Sequence, residues 1–223
     1  METRKKRLAL LFSGRGSNLE ALARSASCGV LAPLAEVAVA FSNRPDAPGL
    51  AAARGLGLPT LCLPSKGRER ETFDLELADL LASYRPDWLA LAGYLRVLSP
   101  AFVRRFSGHI VNVHPADTRA HQGLHGYRWA FEQGLAQTLV TVHLVDEGLD
   151  TGRILAQRPV DLRGVGTLEE VERRGLAVEH ALYPEALAAL LAAGAGADKP
   201  VEGSPEQRAS SEAVEGDAGP CAE

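Results

Sequence analysis

Asn112 and His114 stand two residues apart in Ile110-Val111-Asn112-Val113-His114-Pro115, an otherwise apolar run that reads as a buried strand. Alternate side chains of an extended chain share a face, so the amide and the imidazole point the same way. Pro115 ends the strand because it has no N–H for the ladder. An amide donates and accepts hydrogen bonds, and an imidazole carries a proton near neutral pH. Two such groups on one side of an apolar strand must meet something. They are either satisfied within the core or presented to a ligand, and the Gly- and His-containing loop that follows favours presentation.

A second chemical signature is Ser13-Gly14-Arg15-Gly16-Ser17-Asn18-Leu19-Glu20, which follows the apolar run Leu8–Phe12. Ser17 and Glu20 have the spacing of a capping box that opens a helix reaching about Ser27. Strand, Gly-rich turn and capped helix together present free backbone N–H groups to a phosphate. The Lys-Ser/Thr pair of a Walker A loop is missing, and so is the full dinucleotide fingerprint. What remains is a phosphomonoester site or a plain tight turn.

The elements that must position these groups alternate along the chain. Apolar strands are expected at Leu8–Phe12, Ala35–Phe41, Leu58–Leu63, Asp87–Ala92 and Ile110–His114. Between them fall helices at Pro48–Arg54, at Glu69–Tyr84 with Phe73, Leu75, Leu77, Leu80 and Leu81 as the apolar face, and after Ser99-Pro100. A helix at Gly126–Gly134, strands at Leu139–Val145 and Ile154–Val160, and a long helix from Leu168 to about Ala193, kinked near Pro184, follow. The last strand pair has too short a connection for a crossover helix and is read as antiparallel. This alternation predicts an open, doubly wound, mostly parallel α/β sheet of Rossmann-like type. Ligands of such sheets bind outside the carboxyl ends of the strands, so the loops Ser13–Asn18, Gly93–Val97 and Asn112–Gly126 should share one edge.

Composition narrows the class. A chain of 223 residues with 46% hydrophobic content supports one core; residues 1–193 are read as the catalytic domain and 194–223, rich in Gly, Ala, Ser, Glu and Pro, as a disordered tail. A net charge of -4 and a pI near 5.9 argue against nucleic acid as the main partner. Cys28, Cys62 and Cys221 lack metal-ligand spacing and indicate a reducing compartment. No run approaches the roughly 18 apolar residues of a membrane span, so the expected location is cytoplasmic.

Together the segments resemble the glycinamide ribonucleotide formyltransferase family over about Leu8–Leu187. The likeness is carried by Ser13-Gly14-Arg15-Gly16-Ser17-Asn18-Leu19, Ala92-Gly93-Tyr94-Leu95-Arg96-Val97-Leu98-Ser99, Asn112-Val113-His114-Pro115, Leu149-Asp150-Thr151-Gly152 and Glu179-His180-Ala181-Leu182-Tyr183-Pro184. Asn-x-His-Pro with Leu-Asp-x-Gly marks folate-dependent formyl transfer in general, and the Gly-Ser-Asn turn narrows it to the ribonucleotide enzyme. The resemblance implies Asn112, His114 and Asp150 as the catalytic group. It implies Gly16, Ser17 and Asn18 at the ribonucleotide phosphate and Glu179 at the glycinamide end. Arg70 and the backbone of Leu95, Arg96, Val97 and Leu98 would line the pocket of 10-formyltetrahydrofolate, with no metal. A homodimer is left open. The family's usual Ser-Leu-Leu-Pro after His-Pro is replaced here by Ala116-Asp117-Thr118-Arg119-Ala120-His121-Gln122, in unchanged register to Gly123.

The implied reaction is attack of a primary amine on the formyl carbon, through a tetrahedral oxyanion that an Asn112 N–H could stabilise. His114 could stabilise the same oxygen or move protons between amine and N10, and Asp150 would raise its pKa and fix its tautomer. Of the remaining histidines, His121 and His125 fall in the altered loop, His109 and His143 are read as structural, and His180 adjoins Glu179. Rival acceptors are a sugar nucleotide and methionyl-tRNA; the other rivals are hydrolysis of the formyl folate and non-catalytic binding. The tRNA enzyme would add a carboxyl-terminal domain and the hydrolase an amino-terminal one. Neither is expected here, whereas a binding protein would not need Asn112, His114 and Asp150 together.

Overall fold

The computed structural model describes residues 4–194. The segment read as a tail therefore lies, beyond Gly194, outside the described residues. In chain order the elements are β1 (Lys6–Phe12), α1 (Ser17–Cys28), β2 (Ala35–Ser42), α2 (Pro48–Gly55), β3 (Thr60–Cys62), α3 (Arg70–Ala82) and β4 (Trp88–Leu91). Then come α4 (Pro100–Arg105), β5 (Ile110–His114), α5 (Gly126–Glu132), β6 (Gln137–Leu144), β7 (Ile154–Asp161) and α6 (Leu168–Ala192).

The strands form one sheet in the order β3-β2-β1-β4-β5-β6-β7. β1 to β5 are parallel; β6 runs the opposite way, antiparallel to β5 on one side and to β7 on the other, and the short β6–β7 connection makes the second pairing a hairpin. The sheet is covered on both faces, which is why Leu8–Phe12 of β1 and Trp88–Leu91 of β4 are apolar at every position. Along β1, Leu8, Leu10 and Phe12 pack on the side of α1, α2, α5 and α6, whereas Ala9 and Leu11 pack on the side of α3 and α4. Each fully buried leucine contributes roughly 1.5–3 kcal/mol.

Three local expectations are corrected. The Ser17–Glu20 capping box does not form: α1 is capped by Gly16 in the left-handed conformation, with no side-chain cap, so the Ser17 hydroxyl is not spent on the helix. β3 is shorter than Leu58–Leu63, because the Leu58 N–H closes the end of α2 and Pro59 has none to give. On α3, Leu75 is exposed and Asp74 is fully buried; the inward stripe is Phe73, Leu77, Ala78 and Leu81.

The carboxyl ends of β1, β4 and β5 meet at one edge, as the topology demands. There Ser13 N–H donates to the Gly93 carbonyl at 3.0 Å, and the Ser13 hydroxyl donates to Asn43 and accepts from Leu95 N–H. Asn43 in turn donates to Ser65. This buried polar chain fixes four strand-end loops relative to one another.

Candidate active site

A cavity of about 720 Å³ opens at that edge, walled by Gly14–Asn18, Leu91–Leu98, Asn112–Pro115, Gly123–His125, part of the Val145–Asp150 loop, Leu176 and Glu179. One wall is made by close backbone packing. Gly16 has φ 85°, and a Cβ there would lie 2.9 Å from the Gly49 Cα. Only glycine meets both demands.

At the centre, His114 Nδ1 stands 3.4 Å from Asp150 Oδ2, and its Nε2 is 3.0 Å from the His121 carbonyl oxygen. A carbonyl only accepts, so Nε2 carries the ring proton and Nδ1 is the basic nitrogen. Asp150 has φ 52°, and its Oδ2 accepts from Gly123 N–H at 2.8 Å. Burial works to raise the Asp150 carboxyl, but the His143 and His114 imidazoles in their protonated forms, and the Gly123 N–H, hold it below the ordinary aspartate value. The expectation that Asp150 lifts His114 is corrected in its net sign: burial lowers the imidazole more than the carboxylate raises it.

His143, read as structural, belongs to this cluster. Its Nδ1 lies 2.8 Å from the Leu144 carbonyl, which fixes the proton there, and its Nε2 is 3.2 Å from Asn112 Nδ2 and 3.5 Å from Asp150 Oδ1. Accepting from one Asn112 hydrogen, His143 sets which way that amide faces. The signal was the β5–β6 register, in which Asn112 and His143 are cross-strand partners, and local sequence does not contain it.

The other anticipated residues divide. Ser17, Asn18 and Glu179 come together at the far wall, where Asn18 Nδ2 and the Tyr127 hydroxyl each donate to Glu179 at 2.5 Å. Asn18 Oδ1 is buried there with no hydrogen-bond partner among the described residues. Leu95, Arg96, Val97 and Leu98 line the opposite wall, and Leu95, Val97, Leu124 and Leu149 make an exposed apolar rim. The Arg96 guanidinium turns back over the Phe73 ring at 4.7 Å and towards buried Asp74 at 3.8 Å. Arg70 is not brought to the cavity; it is the exposed first residue of α3. The altered loop folds on itself through Asp117, whose carbonyl accepts from Ala120 and His121 N–H groups, and His121 stacks on Trp129 at 4.9 Å. Its chemistry is new, yet it still presents a carbonyl to His114. His125 lines the cavity, and His180 does not.

The formyl transferase family profile matches residues 6–187. The chain belongs to the formyl transferase family. Among relatives in that family, it is 36% identical to the phosphoribosylglycinamide formyltransferase of Escherichia coli, over 79% of this chain and 83% of that one. It is 39% identical to the trifunctional purine biosynthetic protein adenosine-3 of Drosophila melanogaster over 86% of its own length, and spans only 14% of that longer protein. Crystal structures of family members agree with the fold. Glycinamide ribonucleotide transformylase 1 from Symbiobacterium toebii has a TM-score of 0.80 at 37% identity, covering 85% of this chain and 89% of that one. Phosphoribosylglycinamide formyltransferase from Brucella melitensis gives 0.78 at 37%, covering 85% and 97%. No helix among the described residues is long and apolar enough to cross a membrane.

Proposed function

We propose that this chain transfers the formyl group of 10-formyltetrahydrofolate to the primary amine of glycinamide ribonucleotide, a step of de novo purine biosynthesis. The observation that carries the reading is the meeting of Asn112, His114 and Asp150 in one cavity that also holds the Gly16-Ser17-Asn18 turn and Glu179. The names borne by relatives of similar length point the same way. The apolar rim suits the rings of the folate, and the turn suits a phosphate. A cytosolic location belongs to the reading, and the free thiols Cys28 and Cys62 fit it.

Asn112 has two amide hydrogens. His143 takes one, and the other is left to donate to the oxyanion, worth roughly 3–4 kcal/mol in barrier height. His114, kept neutral at neutral pH by burial, takes the proton of the attacking amine on Nδ1 and returns it to the departing N10. Asp150, 3.4 Å away, stabilises the imidazolium formed in between. Glu179 accepts hydrogen bonds from the glycinamide end.

Absorbance-monitored deformylation of a 10-formyl folate, with and without glycinamide ribonucleotide, tests the proposal. Turnover that requires the ribonucleotide is expected. Turnover without it would make the chain a hydrolase, and none with either would move the acceptor elsewhere.

A further inference from the structure

Glu179 is almost fully buried, yet it lines the cavity, and what holds it there is a side chain outside the cavity walls. Gly175 and Glu179 are four residues apart on α6 and so lie one above the other on one face. The Tyr127 ring, brought by α5, lies against the bare backbone of Gly175: a Cβ at that glycine would fall 2.1 Å from the ring's Cζ. One turn on, the Tyr127 hydroxyl donates to Glu179 Oε1 at 2.5 Å, while Asn18 Nδ2 from α1 donates to Oε2. A glycine in the middle of a helix weakens it, and here the missing side chain is the seat of the tyrosine.

Each carboxylate oxygen is thus anchored once and keeps a lone pair for the cavity. We infer that Tyr127, seated on Gly175, is a positioning residue that holds Glu179 in one orientation for the donor groups of the acceptor substrate. The inference deepens the proposed function and rests on it for the substrate's identity. Tyr127 is the titratable group facing Glu179, and Asn18, facing it from α1, is neutral; burial raises the Glu179 carboxyl above the ordinary glutamate range, and these two donors offset that only in part. Burial and the adjoining carboxylate push the Tyr127 phenol well above its ordinary range, so it remains a donor.

Tyr127→Phe keeps the ring in its seat and removes only the donor. A hydrogen bond to a charged acceptor is lost, so KM for glycinamide ribonucleotide should rise about tenfold while KM for the formyl folate is unchanged. The loss should deepen as pH falls, because without the phenol the carboxyl protonates at a higher pH. Asn18→Ala, which removes the other anchor, provides a second route to the same pH shift. Glu179 ionisation read by carbon-13 NMR, with Glu179→Gln to assign the signal, gives a readout independent of turnover. An upward shift of that titration in Tyr127→Phe is the expected result. Wild-type turnover of the ribonucleotide combined with an unmoved KM and an unmoved titration would overturn the role of Tyr127 and leave the function standing. No wild-type turnover would instead remove the substrate assignment, and the NMR titration would still decide whether Tyr127 sets the state of Glu179.

Discussion

At the scale of single residues, the proposed reaction divides labour between Asn112 as donor, His114 as base and Asp150 as charge. Asn112→Ala removes the amide proposed to donate to the oxyanion and should lower kcat by about 10² to 10³ with ligand affinity changed a few-fold, measured by steady-state kinetics beside equilibrium binding. Equal losses in both would mean that Asn112 binds and does not catalyse. In the proposed mechanism His114 acts neutral, so activity should be fully present above its pKa and be lost as pH falls through it. Burial puts that limb below the ordinary histidine value. Asp150→Asn takes away the larger of the two upward pulls on His114, the other being the His121 carbonyl, so a pH profile should show the limb moved still lower, with a rate reduced by orders of magnitude. The Asn112 and His114 pair could be read locally, because an alternating strand face needs only a period of two. His143 could not be, because its place depends on which strand lies beside β5 and in what register.

At the scale of elements, the strand-turn-helix Lys6–Cys28 shows what local sequence settles and what it leaves out. The order and type of the pieces were legible in the apolar run and the glycines. The cap was not: Ser17 has the right spacing, but Gly16 in the left-handed region starts the helix and leaves Ser17 facing the cavity. A glycine is needed there a second time over because Gly49 passes too close for a Cβ, a contact between α2 and the turn that no local pattern encodes. Gly16→Ala should cost at least about 2 kcal/mol and lower Tm by roughly 4–8 °C. Its KM for the ribonucleotide should rise far more than its KM for the formyl folate. A calorimetric scan and paired saturation curves would check both, and equal KM effects would count against the turn as a phosphate cradle. The Ser13-Asn43-Ser65 chain was equally invisible, since its members are joined only by the sheet order.

At the scale of the molecule, the parallel sheet and its ligand edge were legible because alternating apolar strands and helices admit few other topologies. The antiparallel β6–β7 end followed from one short connection. The apolar rim of Leu95, Val97, Leu124 and Leu149 was not foreseen, because it gathers residues from three loops. Because ligands on this edge bridge loops from most of the sheet, binding should stabilise the whole fold. A non-reactive formyl-folate analogue at a hundred times its Kd adds about 2.7 kcal/mol, and should raise Tm by about 5–11 °C in differential scanning fluorimetry. No rise would mean that the cavity is not where the folate binds.

Asp150 combines a left-handed backbone that most residues resist with a charge that the proposed chemistry requires. Asparagine and glycine adopt its left-handed backbone readily, whereas β-branched and bulky residues do not. A library of all substitutions at this position, scored once for cellular abundance and once for growth without supplied purines, should therefore split in two. Asparagine and glycine would persist in the abundance score and vanish from the growth score, leaving aspartate alone in both. The position would look tolerant to a folding screen and invariant to a metabolic one.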